Sequence, residues 1–71
     1  MKIQTVEGVI TGIDTDERTI EITLDDDRTL GFSLDDELEL DDDEIEALVR
    51  ARGRVSLAVR DNHLAFRMHR L

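Results

Sequence analysis

The sequence predicts a small, mainly β domain with one helix, whose elements follow the order β-β-β-α-β-β and close a five-stranded barrel. Apolar and polar residues alternate in five separate stretches, as in strands with one buried face. Residues 41–52 instead show the apolar spacing of a helix. The chain has 71 residues, so we expect a single domain, 1–71, with a small core and modest stability.

The first strand is predicted at residues 6–13, where valine, isoleucine and glycine dominate. Strict alternation places Gly8, Ile10 and Gly12 on one face of this strand. Two glycines on the same face allow the sharp coiling that a long first strand needs in a small barrel.

The second and third strands are predicted at residues 19–24 and 29–34. Polar turns at residues 14–18 and 25–28 separate them, so two tight hairpins join three antiparallel strands. The inward-facing residues are Ile20, Ile22, Leu24, Leu30, Phe32 and Leu34. Residues 35–40 keep a weaker alternation through Leu38 and Leu40, which fits either a strand extension or an irregular connection that plugs the core.

The single helix is predicted to begin after Asp41, a good N-cap residue with Glu44 three positions later. Acidic residues in its first turn and arginines in its last turn complement the helix dipole. We expect Gly53 to adopt the left-handed conformation just past the helix end. The buried stripe of the helix comprises Ile45, Leu48 and Val49.

The last two strands are predicted on either side of a two-residue turn, Asp61-Asn62. The fourth strand directs Val55, Leu57 and Val59 inward, and the fifth directs Leu64, Phe66 and Met68 inward. Ala58 and Ala65 are then outward-facing residues, small enough for close approach by a partner.

This order of elements is that of the OB-fold, a Greek-key barrel with its helix between strands three and four. The chain resembles OB-fold proteins, and its layout is similar to bacterial translation initiation factor one. The resemblance rests on Val6-Glu7-Gly8-Val9-Ile10, Thr19-Ile20-Glu21-Ile22-Thr23-Leu24, Gly53-Arg54-Val55-Ser56-Leu57 and Leu64-Ala65-Phe66-Arg67. It implies an OB-like barrel. An SH3-type barrel with the same strand count is the alternative fold.

The ribosome-binding residues of that family are not transferred to this chain. The family typically has a Leu-Glu-Asn-Gly turn after strand two, where this sequence has Leu24-Asp25-Asp26-Asp27-Arg28. It also carries basic residues where this chain is acidic, between Asp35 and Glu46.

Charge is distributed unevenly along the chain. The net charge is −9, yet residues 1–49 carry 17 acids and three bases, and residues 50–71 carry six arginines and one aspartate. An acidic protein repels nucleic acid and anionic lipid. The basic C-terminal segment is therefore the candidate surface for an anionic ligand.

The candidate binding residues form an outward basic row on the last hairpin: Arg54, Arg60, His63, Arg67, His69 and Arg70. The leading interpretation is a non-enzymatic OB-like binding module that uses this hairpin for protein–protein interaction or homodimerisation, steered by opposite charges. One alternative is single-stranded nucleic-acid binding, chiefly RNA, which the net charge and the lack of stacking aromatics disfavour. The others are a solvated strand face and a designed barrel with no ligand.

Catalytic and metal sites are not predicted. The chain has no cysteine, and its Ser33 and Ser56 lie in ordinary strand patterns. No glycine-rich phosphate loop is present. We therefore expect the chain to have no enzymatic activity and to bind no cofactor. The aspartate runs do not match a calcium-binding loop. His63 and His69 are six residues apart on one strand, about 20 Å, too far to share one ion.

No apolar run approaches the length of a membrane span, and Met1-Lys2 leads directly into strand-like sequence. We therefore expect no membrane association and a cytoplasmic location.

Overall fold

The computed structural model describes residues 2–71 and contains five strands and one helix. The elements are β1 (Ile3–Asp14), β2 (Thr19–Thr23), β3 (Thr29–Leu34), α1 (Asp42–Ala51), β4 (Arg54–Arg60) and β5 (Leu64–Arg70). The strands close a barrel in the order β1-β2-β3-β5-β4. Only β3 and β5 pair in parallel, and the other neighbours are antiparallel. The predicted fold class and element order are confirmed.

The core is filled mainly by aliphatic side chains from all five strands, together with one residue of α1 and one of the connection before it. Ile45 of α1 is fully buried, whereas Leu48 and Val49 are partly buried against the same cluster. The buried core residues are Ile10, Ile20, Ile22, Phe32, Leu34, Leu38, Ile45, Val55, Leu57, Val59, Ala65 and Met68.

Strand β1 contains a bulge that changes which residues face the core. Its pairing with β2 shifts between Ile10 and Gly12, so that Gly12 lies opposite the exposed Glu21. The prediction that Gly12 shares a face with Gly8 and Ile10 is therefore wrong, because one extra residue reverses the alternation beyond it. Gly8 remains buried on the inner side.

Helix α1 begins as predicted and ends one residue earlier than expected. The side chain of Asp41 accepts a hydrogen bond from the Glu44 N–H at 2.8 Å. The left-handed residue is Arg52, with φ 50°, so the prediction for Gly53 is wrong. Gly53 instead lies close to α1, where a Cβ would meet Leu48 Cδ2 at 3.2 Å, a tight contact.

Residues 35–40 form an irregular connection and not an extension of β3, the other interpretation that the sequence allowed. Asp35 and Leu38 are buried, and the Leu38 N–H donates to the Asp35 carbonyl at 3.0 Å. The segment therefore turns tightly and directs Leu38 into the core.

Strand β5 contains a second bulge. Val59 pairs with Ala65 and Ala58 pairs with Arg67, so that Phe66 is skipped in the register. Ala65 is consequently fully buried and Phe66 only half-buried, which reverses the predicted orientation of both. Asp61 and Asn62 both have positive φ, 55° and 67°, as in a tight hairpin turn, but the connection also includes His63, because Arg60 pairs with Leu64; the predicted two-residue turn is one residue short.

Candidate functional site

The six predicted binding residues lie on one hairpin, β4–β5, but they do not form one patch. Arg60 pairs with Leu64 next to the turn, whereas Arg70 pairs with Val55 at the open end. The hairpin strands are seven residues long, about 20 Å, so the row divides into two groups. Arg60 and His63 belong to the turn end. Arg54, Arg67, His69 and Arg70 lie toward the open end.

Arg60 is held by acidic residues of its own chain. Its guanidinium forms an ion pair and hydrogen bond with Asp35, lies 3.8 Å from a Glu37 carboxylate oxygen, and stacks 5.6 Å from the centre of the Phe66 ring. Only 24% of its side chain is exposed. Arg60 therefore contributes to the closure of the barrel and is not free for a ligand.

Asp35, the residue directly after β3, extends the contact between β3 and β5. Its N–H donates to the Ala65 carbonyl at 2.9 Å, and its carboxylate accepts from the Glu37 N–H at 2.9 Å. The Glu37 N–H, and then Arg60, hold the pKa of Asp35 below its ordinary value of 3.8, although burial acts in the opposite direction. Asp35 thus remains ionised and keeps Arg60 in place at neutral pH.

Arg54 and His63 are also engaged locally, but in exposed positions. The Arg54 guanidinium lies 3.0 Å from an Asp25 carboxylate oxygen, with 48% and 82% of the two side chains exposed. Such surface pairs are weak, so Arg54 can exchange this partner for another anion. The His63 Nδ1 donates to the Asp61 carbonyl at 2.7 Å, which fixes the ring against the turn.

The remaining three residues of the row are free. Within residues 2–71, Arg67 and Arg70 form no ion pair, and they and His69 are exposed along β5. Arg50 and Arg52, at the end of α1, are likewise exposed and unpaired in this part of the chain. The candidate surface is therefore the β5 side of the barrel, not the whole hairpin.

A groove borders this surface, and its walls are mixed beside residues 37–40 and mainly apolar beside α1. One section, of about 580 Å³, lies between β5 and residues 37–40. A second section, of about 660 Å³, runs on between β5 and α1 and shares Leu40, Met68 and His69 with the first. The groove places exposed cations beside apolar side chains, the combination found at many protein interfaces.

The opposite side, formed by β2 and β3, presents hydroxyl groups and acids. The hydroxyls of Thr11 and Thr23 are 3.1 Å apart and those of Thr23 and Thr29 are 3.3 Å apart, next to the exposed Glu21. Neither phenylalanine is available for stacking, since Phe32 is buried and Phe66 lies beneath Arg60. This face offers neither the charge nor the aromatic platform that single-stranded nucleic acid requires.

Comparison with solved structures identifies the barrel type. The silver(I)-bound form of CusF matches with a TM-score of 0.71 over 100% of both chains, at 15% identity. Apo-CusF from Escherichia coli matches with a TM-score of 0.71 over 99% of this chain and 88% of that one, at 15% identity. The barrel is of the OB type. This likeness of the OB barrel to CusF concerns the fold alone.

A third match is a tryptophan-to-alanine variant of Escherichia coli CusF with copper(II), with a TM-score of 0.70 at 16% identity. It covers 97% of this chain and 91% of that one. No protein-family model matches the chain, and no curated protein matches it in sequence. The OB barrel is thus identified by its three-dimensional structure and not by sequence relatives.

The metals bound by CusF prompt a test of this chain's own ligands. Soft ions favour thiolate, thioether and imidazole ligands. This chain has no cysteine, and Met68 is buried in the core. Residues 2–71 contain no group of three or more His, Asp or Glu side chains placed to hold a metal. The residues of this OB barrel do not fit such a site.

No helix in residues 2–71 is long and apolar enough to cross a membrane.

Proposed function

We propose that this chain is a non-enzymatic protein-binding module whose β5 side binds an acidic segment or surface of a partner protein. The observation that carries the proposal is the pair of exposed arginines on β5, Arg67 and Arg70, which form no ion pair within residues 2–71 of a protein with 18 acidic residues. Acidic side chains of the same chain form ion pairs with the β4 residues Arg54 and Arg60, and no such pair involves β5 within residues 2–71. An acidic partner would be steered to this side by the charge distribution.

The adjoining groove favours a protein partner over nucleic acid. In the section next to α1, its walls include Leu40, Met68 and the helix residues Ala47, Leu48 and Ala51, which offer apolar contact area and no aromatic ring. Protein interfaces combine such an apolar centre with a charged rim. The arginines of this surface would attract single-stranded RNA, but the net negative charge of the whole chain repels it.

Charge reversal on β5 tests the proposal. We expect Arg67→Glu/Arg70→Glu to weaken binding of a fluorescein-labelled, glutamate-rich decapeptide at least about tenfold in low salt, because two attractions become repulsions. The measurement is fluorescence anisotropy at low and moderate salt. The control, Lys2→Glu/Arg28→Glu, lowers the net charge by the same amount at sites outside β5 and should bind like the unmodified protein.

Two outcomes would contradict this function. Equal weakening in both double variants would mean that only overall charge matters. Tight binding of a labelled oligouridine, with no binding of the acidic peptide, would assign the site to RNA instead. Sedimentation velocity on the protein alone distinguishes the kinds of protein partner: a monomer at all concentrations indicates a different protein, and a concentration-dependent dimer indicates a second copy.

A further inference from the structure

The short pairing between β3 and β5 leaves most of β5, residues 66–70, unpaired on one edge. The two strands pair only at Ser33–Leu64 and Leu34–Ala65, followed by the hydrogen bond from the Asp35 N–H to the Ala65 carbonyl. Beyond Ala65, β5 continues to Arg70 and pairs with β4 on its other side. No other strand of residues 2–71 pairs with this part of β5.

An open strand edge carries backbone donors and acceptors that can bind another strand. In this barrel the edge faces the groove, because residues 37–40 run alongside it as an irregular segment and not as a strand. The groove has a volume of about 580 Å³ beside Phe66, Arg67, Met68 and His69. The edge therefore has both unpaired backbone groups and adjoining space.

The side chains of β5 define what an added strand would have to carry. Met68 faces the core side, whereas Arg67 and His69 are exposed on the outer face. An added strand would place alternate residues beside each of these two faces. Apolar residues suit the inner face, and acidic residues suit the outer face next to Arg67.

The chain's own sequence beside the open edge shows the same pattern. Along Glu37-Leu38-Glu39-Leu40 the two leucines are buried or half-buried and the two glutamates are exposed. This segment forms the far side of the same groove. The segment beside the open edge thus itself directs acidic residues outward and apolar residues inward.

A second copy of β5 is a poor occupant. Two β5 edges paired about a twofold axis would bring the arginines of one copy, Arg67 and Arg70, close to the same residues of the other. Like charges on neighbouring strands are destabilising. The arginines that prevent this pairing favour a strand of opposite charge.

We propose that a partner protein binds by strand addition, in which an extended segment of alternating acidic and apolar residues becomes a sixth strand on the open edge of β5. This inference rests on the proposed function and specifies how the acidic partner is held. Main-chain hydrogen bonds supply affinity in such complexes, and the alternating side chains supply specificity.

Selective methylation of peptide amides tests the proposal. The probe is a labelled octapeptide in which glutamate and valine alternate. One version is N-methylated at every glutamate and another at every valine. In an added strand only one of these two sets of N–H groups faces β5, so we expect one methylated peptide to bind at least about tenfold more weakly than the other.

The controls separate this inference from the proposed function. Equal affinities for both methylated peptides would overturn strand addition, and so would failure of the alternating peptide to bind. If the glutamate-rich decapeptide still binds in a manner sensitive to Arg67→Glu/Arg70→Glu, the acidic-partner function survives that result. Loss of binding for every acidic peptide would remove both. Dimerisation of the free protein through β5 would assign the edge to a second copy and overturn the proposal.

Discussion

Replacing Gly8 with alanine should destabilise the barrel by about 3 kcal/mol, near the upper end of the usual cost of overpacking a core. A Cβ at this position would lie 2.6 Å from the Thr23 carbonyl oxygen and 2.7 Å from Ile22 Cγ2. The nearer atom belongs to the backbone of β2 and cannot rotate away, so the two strands must separate. A domain of this size has a total stability of roughly 4–10 kcal/mol, of which this loss is a large part.

The measurement is urea unfolding followed by circular dichroism. Gly31→Ala is the matched control, because its Cβ would meet only the Ile20 carbonyl oxygen at 3.9 Å. Gly31 has no positive φ, so alanine there should leave the midpoint unchanged or raise it slightly. Equal destabilisation by the two substitutions would contradict the close approach of β1 to β2.

Asp35→Asn should lower the unfolding temperature at pH 7 clearly more than any exposed ion-pair variant. Asparagine keeps the acceptor for the Glu37 N–H but removes the charge that Arg60 faces. The poorly solvated Arg60 would then keep only its longer contact with the exposed Glu37 carboxylate, at 3.8 Å. Asp25→Asn is the control, since it removes the partner of Arg54, another β4 arginine, at an exposed site.

The pH dependence of this difference follows from the lowered pKa of Asp35. Because the pKa is lower in the folded state than its ordinary value of 3.8, the unfolded chain binds the proton more readily. The stabilisation by Asp35 is therefore present above pH 3.8 and lost as the pH falls toward the folded-state pKa. We expect the gap in unfolding temperature between the unmodified protein and Asp35→Asn to narrow below pH 3.8. A gap that stays constant down to pH 2 would contradict this role.

Much of the fold could be predicted from the sequence because its signals are local. Alternation in β2, the N-cap Asp41 and the place of the turn at Asp61-Asn62 each depend on neighbouring residues, and the structure agrees with each of them. The two bulges were not predictable in this way. A bulge is defined by the register with a partner strand, so the positions of Gly12 and Phe66 depended on β2 and β4.

The candidate site was predicted only in part. The charge contrast between the two parts of the chain pointed to the last hairpin, but sequence alone could not say which arginines are neutralised. The pairs of Arg54 with Asp25 and Arg60 with Asp35 join residues 29 and 25 positions apart. The groove likewise arises only where β3 and β5 close the barrel, although the alternation of residues 37–40 was a usable signal.

The most direct test of the binding surface is a two-dimensional ¹⁵N–¹H NMR titration of the protein with the alternating glutamate–valine peptide. We predict that the amide signals of Arg67, Met68, His69 and Arg70 move first, together with those of Leu38 and Leu40 across the groove. Shifts confined to Glu21 and Thr23 on the opposite face of the barrel, or no shifts at peptide excess, would contradict the assignment of β5 as the site where an acidic partner binds.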